Sequence, residues 1–151
     1  MTTTPFLPTL RELTSAYQAF EAYSAVHIRT LDLTSAQFDI IATLGNTPGM
    51  PFKELGEKTL ITKGTLTGVV DRLTDKKLVQ RVASSSDGRS QTVQLTEQGV
   101  ALFERIFPDH LAHLQRAFTK LSPDELVNLE KSLRHLREAL VSARNSIKEA
   151  P

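Results

Sequence analysis

Apolar residues recur every three or four positions along most of this chain, which is the spacing of one face of an α-helix. A long amphipathic helix is predicted over residues 8–31. A second helix is predicted to begin at Thr34, where Gln37 three residues later completes a capping box. After a turn over residues 46–51, a short helix carries Phe52 and Leu55. Another helix is predicted from Lys63 to about Lys76, with the Thr62 hydroxyl as its N-cap. The first half of the chain is therefore expected to be helical throughout.

The helical spacing gives way to a period of two after residue 78. Over residues 79–84, Val79, Arg81 and Ala83 fall on one face and Gln80, Val82 and Ser84 on the other; the chain then turns at Asp87-Gly88 and returns over Gln91–Leu95. Two alternating runs joined by an Asp-Gly pair are typical of a β-hairpin. We therefore predict a two-stranded hairpin with Arg89 at its exposed tip.

The last third of the chain is again helical by pattern. Thr96 is expected to cap one helix, and Ser122-Pro123-Asp124-Glu125 to begin another. In the last helix the apolar residues alternate spacings of three and four, a 3.5-residue seam that requires a partner helix along its whole length. We expect a homodimer built from the first and last helices, with interface residues Leu10, Leu13, Leu126, Leu129, Leu133, Leu136 and Leu140.

These elements predict a mainly α fold with a small β-hairpin wing, arranged as a winged helix-turn-helix with N- and C-terminal dimerisation helices. Residues 34–96 are expected to form the winged helix-turn-helix lobe that binds DNA. Residues 1–33 and 97–151 are expected to form the helical dimerisation region, intertwined with that lobe.

Charge is distributed unevenly along the chain, although the net charge of the whole is only +1. Residues 53–91 carry eight basic and five acidic side chains, a net charge of +3, while the remainder carries −2. A positive field over the predicted wing and its preceding helix suits a nucleic-acid partner, although eight bases on a solvated surface give the same count.

Composition excludes several other kinds of site. The chain has no cysteine, so disulfides and thiolate metal ligands are excluded. It has no Gly-rich phosphate loop, no nucleophile elbow and no convincing carboxylate pair, so we predict no catalytic residues, no cofactor and no enzyme activity. No apolar run is long enough for a membrane span and no signal segment is present at the N-terminus, so a cytoplasmic protein is expected.

The start of the helix at Lys63 is suited to entering a DNA major groove, because its side chains are short hydroxyls and one lysine. Hydroxyls reach base edges, whereas lysine contacts phosphate or guanine. For Arg72 and Arg81, contact with phosphate and bracing of the helix against the hairpin are equally compatible with the sequence. The predicted DNA contacts are Thr62, Lys63, Thr65, Thr67, Arg72, Arg81 and Arg89.

The motifs from Val69 to Gly99 resemble those of the MarR family of bacterial transcriptional regulators. The resemblance rests on the order of Val69-Val70-Asp71-Arg72-Leu73, Asp87-Gly88-Arg89-Ser90 and Leu95-Thr96-Glu97-Gln98-Gly99, and it extends over residues 8–146. It implies a homodimer of triangular outline in which each winged helix reads half of a palindromic operator. It also implies a crevice for a small effector, lined by the first, second and fifth helices.

The chain departs from the family pattern at two positions. Gly68 stands where many members carry a large basic residue in the recognition helix. Lys77 replaces the glycine that commonly ends this helix, so a different helix end is expected.

Five residues are candidates for the effector crevice: Phe20, Tyr23, His27, Arg29 and Phe38. Their rings suit a flat aromatic ligand, and Arg29 could pair with its carboxylate or phenolate. Ordinary core packing explains the same residues equally well. His110 and His113 lie on one helical face, but two histidines without a clear third ligand make a poor metal site. We therefore expect them to be solvated or at a pocket rim, and no metal is predicted.

The sequence therefore predicts a DNA-binding transcriptional regulator, specifically a repressor released by a small ligand, for which an aromatic anion is a candidate. A zinc-responsive regulator of the same fold is one alternative. A helical protein-interaction module without DNA binding is another, although it leaves the Asp-Gly-Arg hairpin unexplained.

Overall fold

The structure, a computed structural model, describes residues 4–84 and 90–150. The described helices and strands, in chain order, are α1 (Leu7–Ile28), α2 (Ser35–Leu44), β1 (Met50–Pro51), α3 (Phe52–Lys58), α4 (Lys63–Asp75), β2 (Val79–Ala83), β3 (Gln91–Leu95), α5 (Glu97–Phe118) and α6 (Pro123–Glu149). A short 3-10 helix, Arg29–Leu31, follows α1. The described part of the chain is mainly helical with a small antiparallel sheet, so the predicted fold class is confirmed.

Side-chain caps fix where three of the helices begin. The Thr34 hydroxyl accepts from the Gln37 amide at 3.1 Å, and the Gln37 side chain accepts from the Thr34 amide, which is the predicted capping box. Ser122 and Glu125 form the same pair at the start of α6. Thr96 Oγ1 accepts from the Gly99 amide at 3.0 Å at the start of α5. All three predicted caps are confirmed.

The C-terminal end of α4 keeps a left-handed turn without glycine. Lys77 has φ of 63°, and the Leu78 amide donates to the Leu73 carbonyl while the Lys77 amide donates to the Thr74 carbonyl. This pair of bonds is the Schellman motif, which usually places glycine at the left-handed position. The helix end is therefore of the usual shape, and Lys77 carries the strain that a glycine would avoid.

The sheet has three strands in the order β1-β3-β2, all antiparallel. Arg81 pairs with Val93 in the hairpin, and Met50 pairs with Val93 from the other side. The hairpin strands lie where the alternation predicts them. The prediction was wrong for Met50–Pro51, which was assigned to a turn and instead forms a strand of two residues on the edge of β3.

The core is formed where α2, α4 and the sheet meet. Ile40 and Ile41 of α2, Val70 and Leu73 of α4, and Val93 of β3 are almost fully buried in one apolar cluster. From α5, Phe103 lies against Gly45, where a Cβ would come within 2.2 Å of the ring. This core sets the position of the helix that carries the predicted DNA contacts.

Contacts divide the chain into two compact units, one ending at His113 and the other beginning at Leu114. The first holds α1 to β3 and most of α5; the second holds the end of α5 and all of α6. These are contacts within one chain, so the proposed division between a dimerisation region and a DNA-binding lobe stays a prediction. Among the described residues no helix is both long and apolar enough to cross a membrane.

Candidate functional site

Helix α4 has one buried face and one exposed face. Leu66, Val69, Val70 and Leu73 are buried against the core. The side chains predicted to contact DNA from this helix and its cap all lie exposed: Thr62, Lys63, Thr65, Thr67 and Arg72. The outward face is polar, with one lysine near the helix start and one arginine two turns later, and it is free for a partner that this chain does not supply.

Two glycines widen the access to this face. A Cβ added to Gly64 or to Gly68 would meet no heavy atom within 4 Å, so both positions open directly outward. No other side chain occupies the space that a basic side chain at position 68 would take. A partner can approach the backbone of α4 at these two positions closely.

The start of α4 differs in detail from the prediction. Thr62 is the N-cap residue by its extended backbone, but its side chain makes no capping hydrogen bond. Its hydroxyl instead donates to Thr65 Oγ1 at 3.0 Å. The Thr62 backbone carbonyl accepts from the Thr65 and Leu66 amides, which closes the first turn. The expected side-chain cap is therefore wrong, while the helix start is correct.

Arg81 lies on β2 and contacts two other elements. Its guanidinium forms an ion pair with Asp71 of α4 and lies 5.3 Å from the centre of the Phe52 ring of α3. These contacts brace the hairpin against both helices of the helix-turn-helix, which was one of the two roles considered for this residue. Arg72 has no ion pair within the described ranges and stays exposed on the outer face. Arg89, at the predicted wing tip, lies outside the described residues.

A cluster of histidines forms where α1, α2 and α5 meet. His27 Nδ1 lies 3.0 Å from His110 Nδ1, and Ser24 Oγ lies 3.1 Å from His110 Nε2. The Phe38 ring of α2 lies with its centre 4.4 Å from that of His110. His113 stacks on Tyr23 with ring centres 4.2 Å apart. We call these six residues, Tyr23, Ser24, His27, Phe38, His110 and His113, the histidine cluster.

Backbone contacts lock the cluster between α1 and α5. The Tyr23 hydroxyl donates to the His113 carbonyl at 2.7 Å, and His113 Nε2 lies 2.8 Å from the Tyr23 carbonyl. No buried side-chain nitrogen or oxygen lacks a hydrogen-bond partner among the described residues. The two helices are therefore joined by a closed polar network within an otherwise apolar junction.

Burial keeps His110 uncharged at neutral pH. Only 4% of the residue is exposed. This desolvation, with repulsion from His27 and His113, lowers the pKa of His110 from 6.5 to about 4. In the short contact between the Nδ1 atoms of His27 and His110, one atom must donate and the other accept, so at least one of the two rings is uncharged.

The histidine cluster unites two features that the sequence analysis treated separately. Of the five candidate crevice residues, Tyr23, His27 and Phe38 belong to it, whereas Phe20 and Arg29 are exposed. His110 was expected at a rim and is buried instead. The available signal was polar residues, Ser24, His27 and His110, at positions in register with the apolar stripes of two helices.

No group of three or more His, Cys, Asp or Glu side chains is placed to hold a metal ion in the part of the chain that the structure describes. Four of the six imidazole nitrogens in the cluster are engaged with one another, with Ser24 and with the Tyr23 carbonyl.

The predicted interface leucines are largely exposed in a single chain. Helix α6 has 27 residues and none of them is buried. Leu129, Leu133 and Leu140 are between 42% and 57% exposed, and Leu10 and Leu13 of α1 are 46% and 38% exposed. Leu126 and Leu136 are half-buried. Apolar stripes of this length left open to water are unusual in a monomer.

Comparison with known proteins follows this geometry. The model of the MarR family matches residues 31–90. The HTH-type transcriptional regulator MhqR of Bacillus subtilis (strain 168) is 34% identical over 114 residues, which cover 76% of this chain and 79% of that protein.

Two solved structures share the fold at similar levels. BpsR of Bordetella bronchiseptica, whose DNA binding is regulated by 6-hydroxynicotinic acid, has a TM-score of 0.77 at 28% identity, over 91% of this chain and 98% of that one. A mutant of MarR from Escherichia coli, complexed with operator DNA, has a TM-score of 0.77 at 26% identity, over 87% and 95%. The identity to a transcriptional regulator over most of both chains agrees with the outward polar face of α4 and the hairpin beside it. The chain therefore belongs to the MarR family of transcriptional regulators.

Proposed function

We propose that this protein is a homodimeric repressor that binds a palindromic operator in double-stranded DNA and is released by a small aromatic ligand. The observation that carries the DNA-binding part is the outward face of α4, where exposed hydroxyl and basic side chains lie opposite four buried apolar ones. A cytoplasmic location goes with this role. The operator-bound structure of the E. coli relative supports the same use of the fold.

The chemistry of this face divides affinity from sequence choice. Lys63 and Arg72 supply positive charge that neutralises phosphates, which gives affinity and its dependence on salt. Thr65 and Thr67 present hydroxyl and methyl groups to base edges, which gives sequence preference. Open backbone at Gly64 and Gly68 lets the duplex lie close to the helix. Arg81 is occupied with Asp71 and Phe52, and we propose that it holds the wing in place.

Two substitutions on α4 separate these roles. Arg72→Ala is expected to weaken binding to all duplexes alike and to reduce the slope of log affinity against log salt by roughly one unit. Thr65→Ala is expected to leave the salt slope unchanged and to relax preference at one operator position, with a loss of about 1–3 kcal/mol on the original operator. Fluorescence anisotropy over a salt series measures both.

Lys120→Ala, at an exposed basic position after α5, serves as the control for loss of one positive charge away from this face. Its slope should match that of the unmodified protein. An Arg72→Ala slope equal to that of Lys120→Ala, together with unchanged selectivity in Thr65→Ala, contradicts the assignment of α4 as the reading helix.

The exposed apolar stripes support the proposal of a homodimer. A second copy of the chain would supply to α6 the partner helix that its 3.5-residue seam requires. Exposed leucines on α1 offer a further apolar surface for the same interface. A dimer also matches a two-fold symmetric operator, in which two recognition helices enter successive major grooves about 34–36 Å apart.

The histidine cluster supports the proposal of an aromatic effector. Tyr23, His27 and Phe38 provide aromatic faces and ring nitrogens at the junction of α1 and α2 with α5. A flat ligand inserted there stacks on the rings, and its polar group replaces the hydrogen bond between His27 and His110. The regulation of BpsR by a hydroxylated aromatic acid supports the same ligand class. Arg29 lies exposed, so a carboxylate that pairs with it must extend outward from the cluster.

Effector binding is expected to depend on Phe38. A thermal-shift screen of hydroxylated aromatic acids, starting with 6-hydroxynicotinic acid, is expected to give compounds that stabilise the wild-type protein and lower its DNA affinity. Phe38→Ala should reduce that stabilisation by at least half, because the ligand loses its stacking surface. Phe20→Ala, on the exposed face of α1, is the matched control. Compounds that stabilise both variants equally would place the effector elsewhere.

A further inference from the structure

The turn between α3 and α4 is held from two sides before the recognition helix begins. On the α3 side, the Thr59 amide and hydroxyl both bond to the Leu55 carbonyl, at 3.1 and 2.8 Å. On the other side, the Leu60 amide donates to Asp39 Oδ2 of α2 at 3.3 Å. Asp39 is thus the side chain that links α2 to this turn.

In the described part of the chain, Asp39 is the one side chain of another element that forms a hydrogen bond with this turn. Thr62 makes no capping bond, because its hydroxyl is directed to Thr65. The Leu60 side chain is 73% exposed, so it adds little packing. Between Thr59 and the first turn of α4, Ile61 packs against the core, and the contact with Asp39 supplies the hydrogen-bonded tether to another element.

The far end of α4 has a corresponding contact with the segment before α2. The Lys76 ammonium donates to the Asp32 carbonyl at 3.2 Å. Asp32 has φ of 57°, a left-handed turn just before the cap of α2 at Thr34. Helix α2 and its leading turn therefore hold the recognition helix at both ends, while the shared core fills the space between them.

Asp39 is placed to accept a hydrogen bond as a carboxylate despite its partial burial. Burial raises the pKa of this carboxyl above 3.8, and the nearby Glu21 of α1 acts in the same direction. The Leu60 amide and the Thr43 hydroxyl oppose this rise by bonding to the charged form. The hydrogen bond from the Leu60 amide therefore helps to keep Asp39 in the charged form that accepts it.

From these contacts we infer that Asp39 is a positioning residue for DNA reading, which fixes the start of α4 through the Leu60 amide. The inference rests on the proposed DNA-binding function. Without this hydrogen bond, water solvates the Leu60 amide, the turn becomes more mobile and the domain stays folded. The turn must then lose that mobility when α4 enters a DNA groove, which costs binding free energy.

Two substitutions at Asp39 test the inference. Asp39→Ala is expected to lower operator affinity by about tenfold, since ordering one released residue costs on the order of one such factor. Asp39→Asn keeps an oxygen acceptor and is expected to bind within about threefold of wild type. Amide hydrogen exchange without DNA gives an independent readout: exchange at Leu60 should accelerate in Asp39→Ala and stay slow in Asp39→Asn.

Leu60→Ala is the matched control, because it keeps the amide donor and removes only an exposed side chain. Leu60→Pro removes the donor itself, and the extended backbone of Thr59 is compatible with a following proline. It replaces Asp39→Ala in the test if that variant does not fold, with the same expected loss of affinity.

Three results would overturn the inference. The first is an operator affinity of folded Asp39→Ala or Leu60→Pro within twofold of wild type. The second is an equal loss of operator affinity in Asp39→Asn and Asp39→Ala. The third is amide exchange at Leu60 that is as fast in wild type as in Asp39→Ala. Failure of the proposed function looks different: the wild-type protein then binds no DNA, while the exchange difference at Leu60 persists.

Discussion

Replacing Leu133 and Leu136 together with aspartate is expected to yield a protein that is monomeric, or unfolded at low concentration, and that no longer binds operator DNA. Both residues lie in the middle of the seam on α6, where Leu133 is 48% exposed in a single chain. Two carboxylates in an apolar interface cost on the order of 2–5 kcal/mol in lost apolar contact, before their desolvation is added. Light scattering and operator binding measure the two effects.

The control places the same two charges on the opposite face of the same helix. Asn128 and His135 are exposed, seven residues apart and off the seam, so Asn128→Asp with His135→Asp should leave both dimerisation and DNA binding unchanged. A well-folded dimer formed by the Leu133 and Leu136 variant is incompatible with the proposed interface.

Acid is expected to destabilise the protein through His110. The pKa of this residue is 6.5 unperturbed and about 4 in the folded chain. Between pH 6.5 and 4, the His110 imidazole is protonated in the unfolded chain but not in the folded chain. The free energy of unfolding is therefore highest above pH 6.5 and falls as the pH drops towards 4. At about 1.4 kcal/mol for each unit by which folding lowers the pKa, the total loss of stability is about 3.5 kcal/mol.

A comparison of variants isolates this contribution from that of other titrating groups. His110→Asn lacks the titrating imidazole, so its unfolding free energy should fall less steeply between pH 6.5 and 4 than that of wild type. The difference in slope should correspond to nearly one proton taken up on unfolding. His135→Asn, at an exposed histidine of α6, should keep the wild-type slope. Urea unfolding at several pH values gives these slopes, and equal slopes for all three proteins would show that His110 is not held neutral by the fold.

Much of the fold was predictable because local spacing determines it. Capping pairs such as Thr34 with Gln37 act over three residues, so the sequence contains the whole interaction. The hairpin was equally local. β1 was missed because a strand of two residues in a turn-rich segment has no periodicity, and it exists only through its pairing with β3.

The site was harder to predict because its members are far apart in the chain. His27 and His110 are separated by 83 positions, and only the packing of α1 against α5 brings their Nδ1 atoms to 3.0 Å. The sequence therefore gave two unconnected hypotheses, an aromatic crevice and a pair of helical histidines. The choice between phosphate contact and bracing for Arg81 also depended on a tertiary neighbour, Asp71.

The exposed face of α4 was predicted residue by residue, since helical spacing alone separates Leu66, Val70 and Leu73 from the polar positions between them. Sequence spacing does not reveal how the start of this helix is held. Asp39 lies 21 positions before Leu60, and its carboxylate reaches that amide only because α2 packs beside the turn.

The central claim is that a dimer of this chain binds DNA through phosphate contacts and reads sequence with α4. The most direct test is the affinity of the unmodified protein for the duplex upstream of its own gene, measured by fluorescence anisotropy across a salt series, beside a shuffled duplex of equal length. The account predicts binding that weakens steeply with salt, by about 10³–10⁵ between 50 and 200 mM for 6–10 phosphate contacts, and a preference for the upstream duplex. Equal binding to both duplexes, or affinity that salt leaves unchanged, would contradict it.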